Sequence, residues 1–257
     1  MANSDGNMKV LRIASGFLLG VVLASAVESG ADCRWGFDFE TGLVMSGYND
    51  VRIPGDAGTL LSLSEELDTD ASLFARGWFE YRPAERHTLG VLVAPLRLHA
   101  RGSVGRDVRF EGEQFTANAP LQAVYEFNSY RLTYRYDVHR SPNFKVGIGL
   151  TAKIRDALVR LESDRRVAEK ANTGFVPLIH FLVVWGFADR LNLLLGGDAL
   201  AAPQGRAEDV LCALQYSVKP HIHVKVGYRV LEGGADVAEV YSSTLLHYLV
   251  TGIHLTL

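Results

Sequence analysis

The chain has 257 residues, of which 21% are charged and 48% hydrophobic. That composition excludes an intrinsically disordered or collagen-like chain. The formal net charge of −3 and the lack of a basic stripe with interleaved stacking residues argue against a nucleic-acid partner. The length suits one large β domain or two small domains.

The N-terminus reads as a secretory signal peptide over residues 1–31. Lys9 and Arg12 precede the apolar run "IASGFLLGVVLASA" (13–26), and small residues follow at Ala24, Ala26, Ser29 and Ala31. A basic, then apolar, then small-residue order is the export pattern, with cleavage expected after Ala26 or Ala31. Removing the segment takes away Lys9, Arg12, Asp5 and Glu28, so the net charge stays at −3. No later stretch has 18 consecutive apolar residues, so any membrane crossing by residues 32–257 is by strands. Cys33 and Cys212 are the only cysteines. Export permits a disulfide, but two isolated thiols form no metal site.

Period-two alternation then recurs along the chain. Residues 35–46 place Trp35, Phe37, Phe39, Leu43 and Met45 on one face, against Asp38 and Glu40. A second strand is predicted over about 71–82 and a third over about 88–100. Pro95 interrupts the third; a bulge or register slip there would turn Arg97 and His99 inward. The fourth contains "YRLTYRYDV" (130–138), with Tyr130, Leu132, Tyr134, Tyr136 and Val138 opposite Arg131, Thr133, Arg135 and Asp137. The fifth, 144–155, sets Ile148, Leu150 and Ile154 against Lys145, Lys153 and Arg155. Further strands are predicted near 173–186, 191–200, 208–218, 222–231 and 244–257.

The connections alternate in length. Short turns fall at "RPAERH" (82–87), "HRSPN" (139–143), "FADR" (187–190) and "KPH" (219–221). Longer loops are expected near 47–70, 101–122, 156–172, 201–207 and 232–242. Aromatic residues gather beside the short turns: Phe79, Tyr81, Tyr134, Tyr136, Phe144, Trp185, Phe187 and Tyr216. An aromatic girdle at a membrane interface has this distribution. Arg131 and Arg135 would each cost roughly 2–4 kcal/mol facing lipid at midplane, so they point inward and the Tyr-rich face meets lipid.

Export signal, alternating strands, alternating loop lengths and an apolar-alternating last strand together resemble bacterial outer-membrane β-barrel proteins over roughly 35–257. "YRLTYRY", "GLTAKIRDA", "ALAAPQGRAED" and "YRVLEGGAD" look like motif blocks of such a barrel family, with no activity attached to them. Many such proteins end in Phe; this chain ends "GIHLTL" at Leu257. The resemblance implies an all-β fold, a closed antiparallel up-and-down transmembrane barrel of about ten strands, with eight as the alternative. It also implies an outer-membrane location with both mature termini periplasmic. Outer-membrane lipid, lipopolysaccharide and, during insertion, the barrel-assembly machinery are the expected partners. No cofactor is implied. Ten-stranded members include the omptin surface proteases, which carry paired acidic residues and a His-Asp pair at the outer rim. No matching pair stands at comparable places here.

The candidate interior polar network comprises Arg76, Glu80, Arg131, Arg135, Lys153, Arg155, His180, Asp198 and Arg229, with Arg97, Lys145 and Lys225 also read as inward. Two roles are open: an ion-pair network filling a narrow lumen, or an anion-favouring lumen or pocket. Lys153, Arg155, Asp198 and Arg229 are expected at similar heights, with His180 lower, as a polar pocket beneath the loops where acid–base chemistry is conceivable. No Gly-x-Ser-x-Gly signature accompanies them. His221 and His223 form a potential metal pair without a third ligand. Asp209, Glu232 and Asp236 lie in Gly-containing segments read as tight turns or cation-binding loops. "LSLSEELDTD" (61–70) is expected as a short helix or strand turn in the first outer loop. Three functions therefore stand open: a structural, surface-interaction or small-solute barrel; a barrel enzyme acting on lipid or surface peptides; and a soluble periplasmic lipid-binding barrel.

Overall fold

The computed structural model describes residues 34–164, 166–202 and 205–257. The expected signal peptide and Cys33 lie outside the described residues. In chain order the strands begin with β1 (Trp35–Arg52), β2 (Leu61–Ser62), β3 (Leu67–Thr69), β4 (Ser72–Ala84) and β5 (His87–Ala94). They continue with β6 (Arg97–Ser103), β7 (Val108–Phe110), β8 (Glu113–Phe115), β9 (Pro120–Arg140) and β10 (Phe144–Ser163). The last five are β11 (Arg166–Ala188), β12 (Leu191–Ala202), β13 (Gly205–Lys219), β14 (Ile222–Asp236) and β15 (Tyr241–Thr256).

Neighbouring strands pair antiparallel in the order β1, β4, β5, β9, β10, β11, β12, β13, β14, β15, and β15 pairs back onto β1. The sheet is closed. β6 continues the stave that β5 begins, and both pair with β9. The barrel therefore has ten staves, not eight. Closure satisfies every strand edge, which an open sheet in hydrocarbon would leave unpaired.

A lipid-facing band is plain on the outer wall. Leu132, Ile148, Leu150, Phe175, Ile179 and Val226 are all exposed, Leu150 to 69%. Trp35 stacks on Phe79 (5.3 Å between ring centroids) and packs on Tyr81 (4.3 Å) beside the short turns. Tyr134, Tyr136, Phe144, Trp185, Phe187 and Tyr216 complete the girdle at that end. A water-soluble barrel would expose no such continuous apolar belt.

The staves are taller than the membrane requires. β9, β10 and β11 have 21, 20 and 23 residues, whereas about 9–11 tilted residues span a bilayer. Sidedness inverts along them. In β10, Ile148, Leu150 and Ile154 face out and Lys153 faces in; farther up, Asp156, Arg160 and Glu162 face out and Val159 and Leu161 are buried inside. In β9 the inward set changes from Arg135, Thr133 and Arg131 to Tyr125, Ala123 and Leu121. The lower storey is a membrane barrel with a polar interior. The upper storey is a water-exposed barrel with an apolar interior.

That upper interior is one packed cluster, including Val51, Ile53, Leu61, Leu63, Leu98, Phe110, Leu121, Leu161, Leu246 and Tyr248. The first outer loop contributes through β2 and β3, which pair with β1 and β6; segment 61–70 is thus strand and turn, with no helix. The β7–β8 hairpin adds Val108, Phe110 and Phe115.

Three expectations need correction. Arg97 and His99 are exposed on the outer wall, while Leu96, Leu98 and Ala100 face in. Ala94 pairs with Ser129 and Arg97 with Glu126, an equal step of three on both strands, so Pro95 causes no register slip. The Asn128 Oδ1 accepts the Leu96 N–H at 3.2 Å, replacing a ladder bond at the break. Segments 156–163, 166–172 and 232–236 are not loops but the upper ends of paired strands, and β13 begins at Gly205. Asp209 and Glu232 accordingly sit in strands.

The fold predicts opposite costs for one chemical change at two heights. Leu150→Arg, at the middle of the lipid band, is expected to lower stability by about 2–4 kcal/mol, and Val124→Arg, outward in the upper storey, by less than about 1 kcal/mol. Denaturant unfolding of the refolded protein in lipid vesicles measures both.

Candidate functional site

The lower interior is built from side chains at alternate positions of all ten staves, brought to one level by the barrel's stagger. Two carboxylates bind it together. Asp209, fully buried on β13, accepts from Arg131 Nη2 at 2.6 Å, Arg229 Nη1 at 2.6 Å and Arg76 Nη2 at 2.9 Å. Glu40 on β1 accepts from Arg229 Nη2 at 2.6 Å and Lys225 Nζ at 2.7 Å, with Arg76 Nε at 3.6 Å. Arg229 and Arg76 thus bridge the two acids. Each is nearly free of solvent contact, a burial that ionised groups sustain only when paired and hydrogen-bonded.

Asp198 on β12 extends the network. It accepts from Arg131 Nη1 at 2.6 Å, Thr151 Oγ1 at 2.7 Å and His180 Nδ1 at 2.9 Å. Because a carboxylate only accepts, His180 carries its proton on Nδ1 in this bond. Its Nε2 is buried and has no hydrogen-bond partner. Trp78 lies parallel to the imidazole, with ring centroids 6.1 Å apart.

A second cluster lies nearer the short turns. Arg135 Nε donates to Asp137 at 3.1 Å and Nη2 to Thr88 Oγ1 at 3.1 Å, with Glu80 at 4.0 Å. Arg82 approaches Glu80 at 3.9 Å. Lys225 also donates to Asp38 at 2.7 Å, which His254 approaches at 3.3 Å.

The structure therefore brings Arg76, Arg131, His180, Asp198 and Arg229 into one network and places Glu80 and Arg135 in the cluster below. Lys153 is buried beside them with its ammonium 4.8 Å from the Phe127 ring. Arg155 stands one step higher and donates to Asn172 on the neighbouring strand. Lys153, Arg155, Asp198 and Arg229 do not form one pocket under the loops, because Leu161, Tyr125 and their neighbours fill that space. Sequence reasoning missed Asp209 and Glu40 as hubs. The signal for Asp209 was present, since Asp209, Leu211 and Ala213 continue one strand face. His221 and His223 lie at the short-turn end, where His223 bonds Ser217 at 2.9 Å. No cluster of three metal-ligating side chains occurs among the described residues.

A cavity of about 340 Å³ occupies the lower lumen. Its walls are unequal. Arg76, Arg131, Arg135, Lys225 and Arg229 line one side; Leu182, Val184, Leu194 and Leu211, from β11 to β13, line the other. A second cavity at the short-turn mouth, around Arg140–Phe144, shares Lys145 and Val184 with the first. The lumen is therefore open toward the short turns and closed above by the apolar cluster.

At the outer rim, carboxylates are engaged by cations: Arg106 with Glu66, Arg101 with Asp70 at 2.7 Å, Arg206 with Glu232, and Lys170 with Glu111 at 3.0 Å. Hydrogen bonding from Arg106 holds the Glu66 carboxyl below its ordinary pKa.

Asp209→Asn removes the acceptor shared by three guanidinium groups. It is expected to destabilise the barrel by about 3–5 kcal/mol, the range for breaking a buried ion pair. Glu66→Gln, at the solvated rim, is expected to cost less than about 1 kcal/mol. Equilibrium unfolding midpoints of the two variants compare them directly.

Neither a protein-family model nor a curated protein matches the chain. Solved structures do. The outer membrane protease OmpT of Escherichia coli superposes with a TM-score of 0.55 at 10% identity, covering 87% of this chain and 97% of that one. Ail, the attachment invasion locus protein of Yersinia pestis, gives a TM-score of 0.38 at 8% identity, covering 86% and 99%. OprG of Pseudomonas aeruginosa gives 0.36 at 11% identity, covering 87% and 97%. With its closed ring of ten staves and its lipid-facing band, the chain has the fold of the bacterial outer-membrane β-barrel proteins.

Proposed function

We propose that the protein is a closed outer-membrane barrel that serves structure and interaction at the cell surface, without passing solutes and without catalysing a reaction. The observation that carries this reading is the apolar cluster that fills the upper storey from wall to wall. An ion or small polar solute moving through it would give up its water against packed apolar side chains, with only the short Asn49–Thr244–Tyr125 hydrogen-bond chain among them. The tall upper storey offers the surface for interaction, with polar side chains outward and its core held by packing.

The likeness to a protease raises the enzymatic alternative. Surface proteolysis or lipid hydrolysis requires an acid–base pair facing the exterior. At the rim, Glu66, Asp70, Glu111 and Glu232 are paired with cations. His180–Asp198 and His254–Asp38 lie in the lower storey. The soluble lipid-binder alternative conflicts with the outward apolar band. Arg97 and Arg101, exposed just above that band, suit contact with lipopolysaccharide head groups. The termini and the short turns would lie in the periplasm, and the barrel-assembly machinery would insert the chain by its last strand.

In planar bilayers the purified protein is expected to be silent. Steady single-channel conductance would overturn the closed reading. An epitope inserted after Ala238 is expected to bind antibody on intact cells, and one inserted after Pro142 only after the outer membrane is opened. The reverse labelling would overturn the orientation.

A further inference from the structure

We infer that the lower lumen is a binding site for a small organic monocarboxylate with a compact apolar body, entering from the short-turn mouth. Four observations converge on it. The cavity of about 340 Å³ lies within the usual range of ligand sites, about 300–1,000 Å³.

The charge around it does not balance. Seven Lys and Arg side chains line it against four Asp and Glu. Asp209 and Asp137, bonded to Arg131 and Arg135 from behind the lining, bring the acids to six. Lys153, buried beside the same network, brings the cations to eight, so two remain in excess. Lys145 is the lining cation for which no hydrogen bond or ion pair occurs among the described residues, although Arg135, Asp137, Glu80 and Arg82 all act on it electrostatically. A half-buried ammonium without a fixed partner is a ready anion contact.

Lys145 also stands at the edge of the apolar wall. It pairs across the strands with Val184, and Val184 pairs with Leu194. One level in, Gly147 pairs with Leu182, and Leu182 with Gly196. All six face the lumen. A Cβ on Gly147 would lie 2.6 Å from Arg135 Cδ and 2.8 Å from Asp137 Oδ1, so glycine there keeps the guanidinium seated. A carboxylate on Lys145 therefore places an attached apolar body against Val184, Leu182 and Leu194.

Deeper in, His180 is 8% exposed and its Nε2 has no partner. Since Nδ1 is bonded to Asp198, Nε2 is the polar atom left for a ligand; it accepts from a hydroxyl or, when the ring is protonated, donates to an oxygen. The cavity thus has a cationic mouth, an apolar flank and an unpaired polar atom at depth.

The test uses the full-length barrel in lipid nanodiscs, with 4-fluorobenzoate as probe, fluorine NMR as readout and empty nanodiscs as reference. Saturable broadening, competed by benzoate, is expected. Lys145→Met is expected to weaken it on the order of tenfold, the loss of one charge-assisted contact, and Lys145→Arg to retain it. 4-Fluorobenzyl alcohol, with the same body and no charge, is expected to bind more weakly and to be indifferent to Lys145→Met. Heat-dependent gel mobility confirms that each variant is a folded barrel. No saturable binding to the wild type, or binding of the carboxylate that survives Lys145→Met, overturns the inference. Conductance is measured separately, so failure here leaves the closed-barrel reading standing.

Discussion

Each tall stave of this protein passes through two solvents, and that constraint organises the rest. In lipid the outward side chains must be apolar, which leaves the polar ones for the lumen. In water the requirement reverses, because a barrel needs an apolar interior to hold together. β9 and β10 obey both by exchanging faces near Ser129 and Arg155, with no break in the strand. Because side chains alternate with a period of two, the exchange needs no bulge. A change in which parity carries the apolar residues suffices. The same inversion between Val93 and Arg97 spans the Pro95 interruption, where the strand keeps one backbone bond, Phe127 N–H to the Leu96 carbonyl, and stays in step.

The polar lumen is the counterpart of the lipid belt. Ten staves enclose little free space, so charged side chains from opposite walls meet. Asp209 and Glu40 succeed as hubs because each accepts from guanidinium or ammonium groups on different staves. Arg131, Arg229 and Arg76 therefore tie distant parts of the ring together. Fork-shaped guanidinium groups suit this, since one arginine can hold two acids at fixed geometry. The burial is costly, and its energetic net is small when complete and strongly unfavourable when one member is lost. The network fixes the relative placement of staves more than it adds stability.

Much of this was legible in the residues. The ten staves, their short turns, the aromatic girdle and the inward direction of Arg131 and Arg135 follow from alternation and from the cost of a charge in lipid. Height was harder to read. Gly-containing and acidic stretches such as "GRAEDV" and "LEGGAD" carry turn composition, yet they are strand because the upper storey is bathed in water and polar outward residues are favoured there. The same bias hid Asp209, whose place among loop-like neighbours masked its alternation with Leu211 and Ala213. Pro95 misled in the other direction. Proline forfeits a donor, but its neighbour Leu96 still accepts from the Phe127 N–H and donates to the Asn128 Oδ1, so the strand keeps its step. Which cation meets which acid was not readable at all, because the pairs join residues as far apart as Glu40 and Arg229.

The two storeys also give the molecule a direction. The apolar cluster closes the upper end, and the polar lumen opens at the short turns, so exchange with the cavity runs through that mouth. Its walls differ because β11, β12 and β13 contribute Leu182, Val184, Leu194 and Leu211 where the other staves contribute charge. A lumen needed only as a structural filler would pair its charges and pack its apolar side chains against one another. Here the apolar wall faces open space, Lys145 stands beside it without a fixed partner, and His180 presents an unsatisfied nitrogen at depth. Space, an excess positive charge and an apolar flank at one level are the complement of a small amphipathic anion. A water-exposed upper storey and a ligand-sized lower cavity can therefore coexist in one barrel, because the packed layer between them keeps their environments separate.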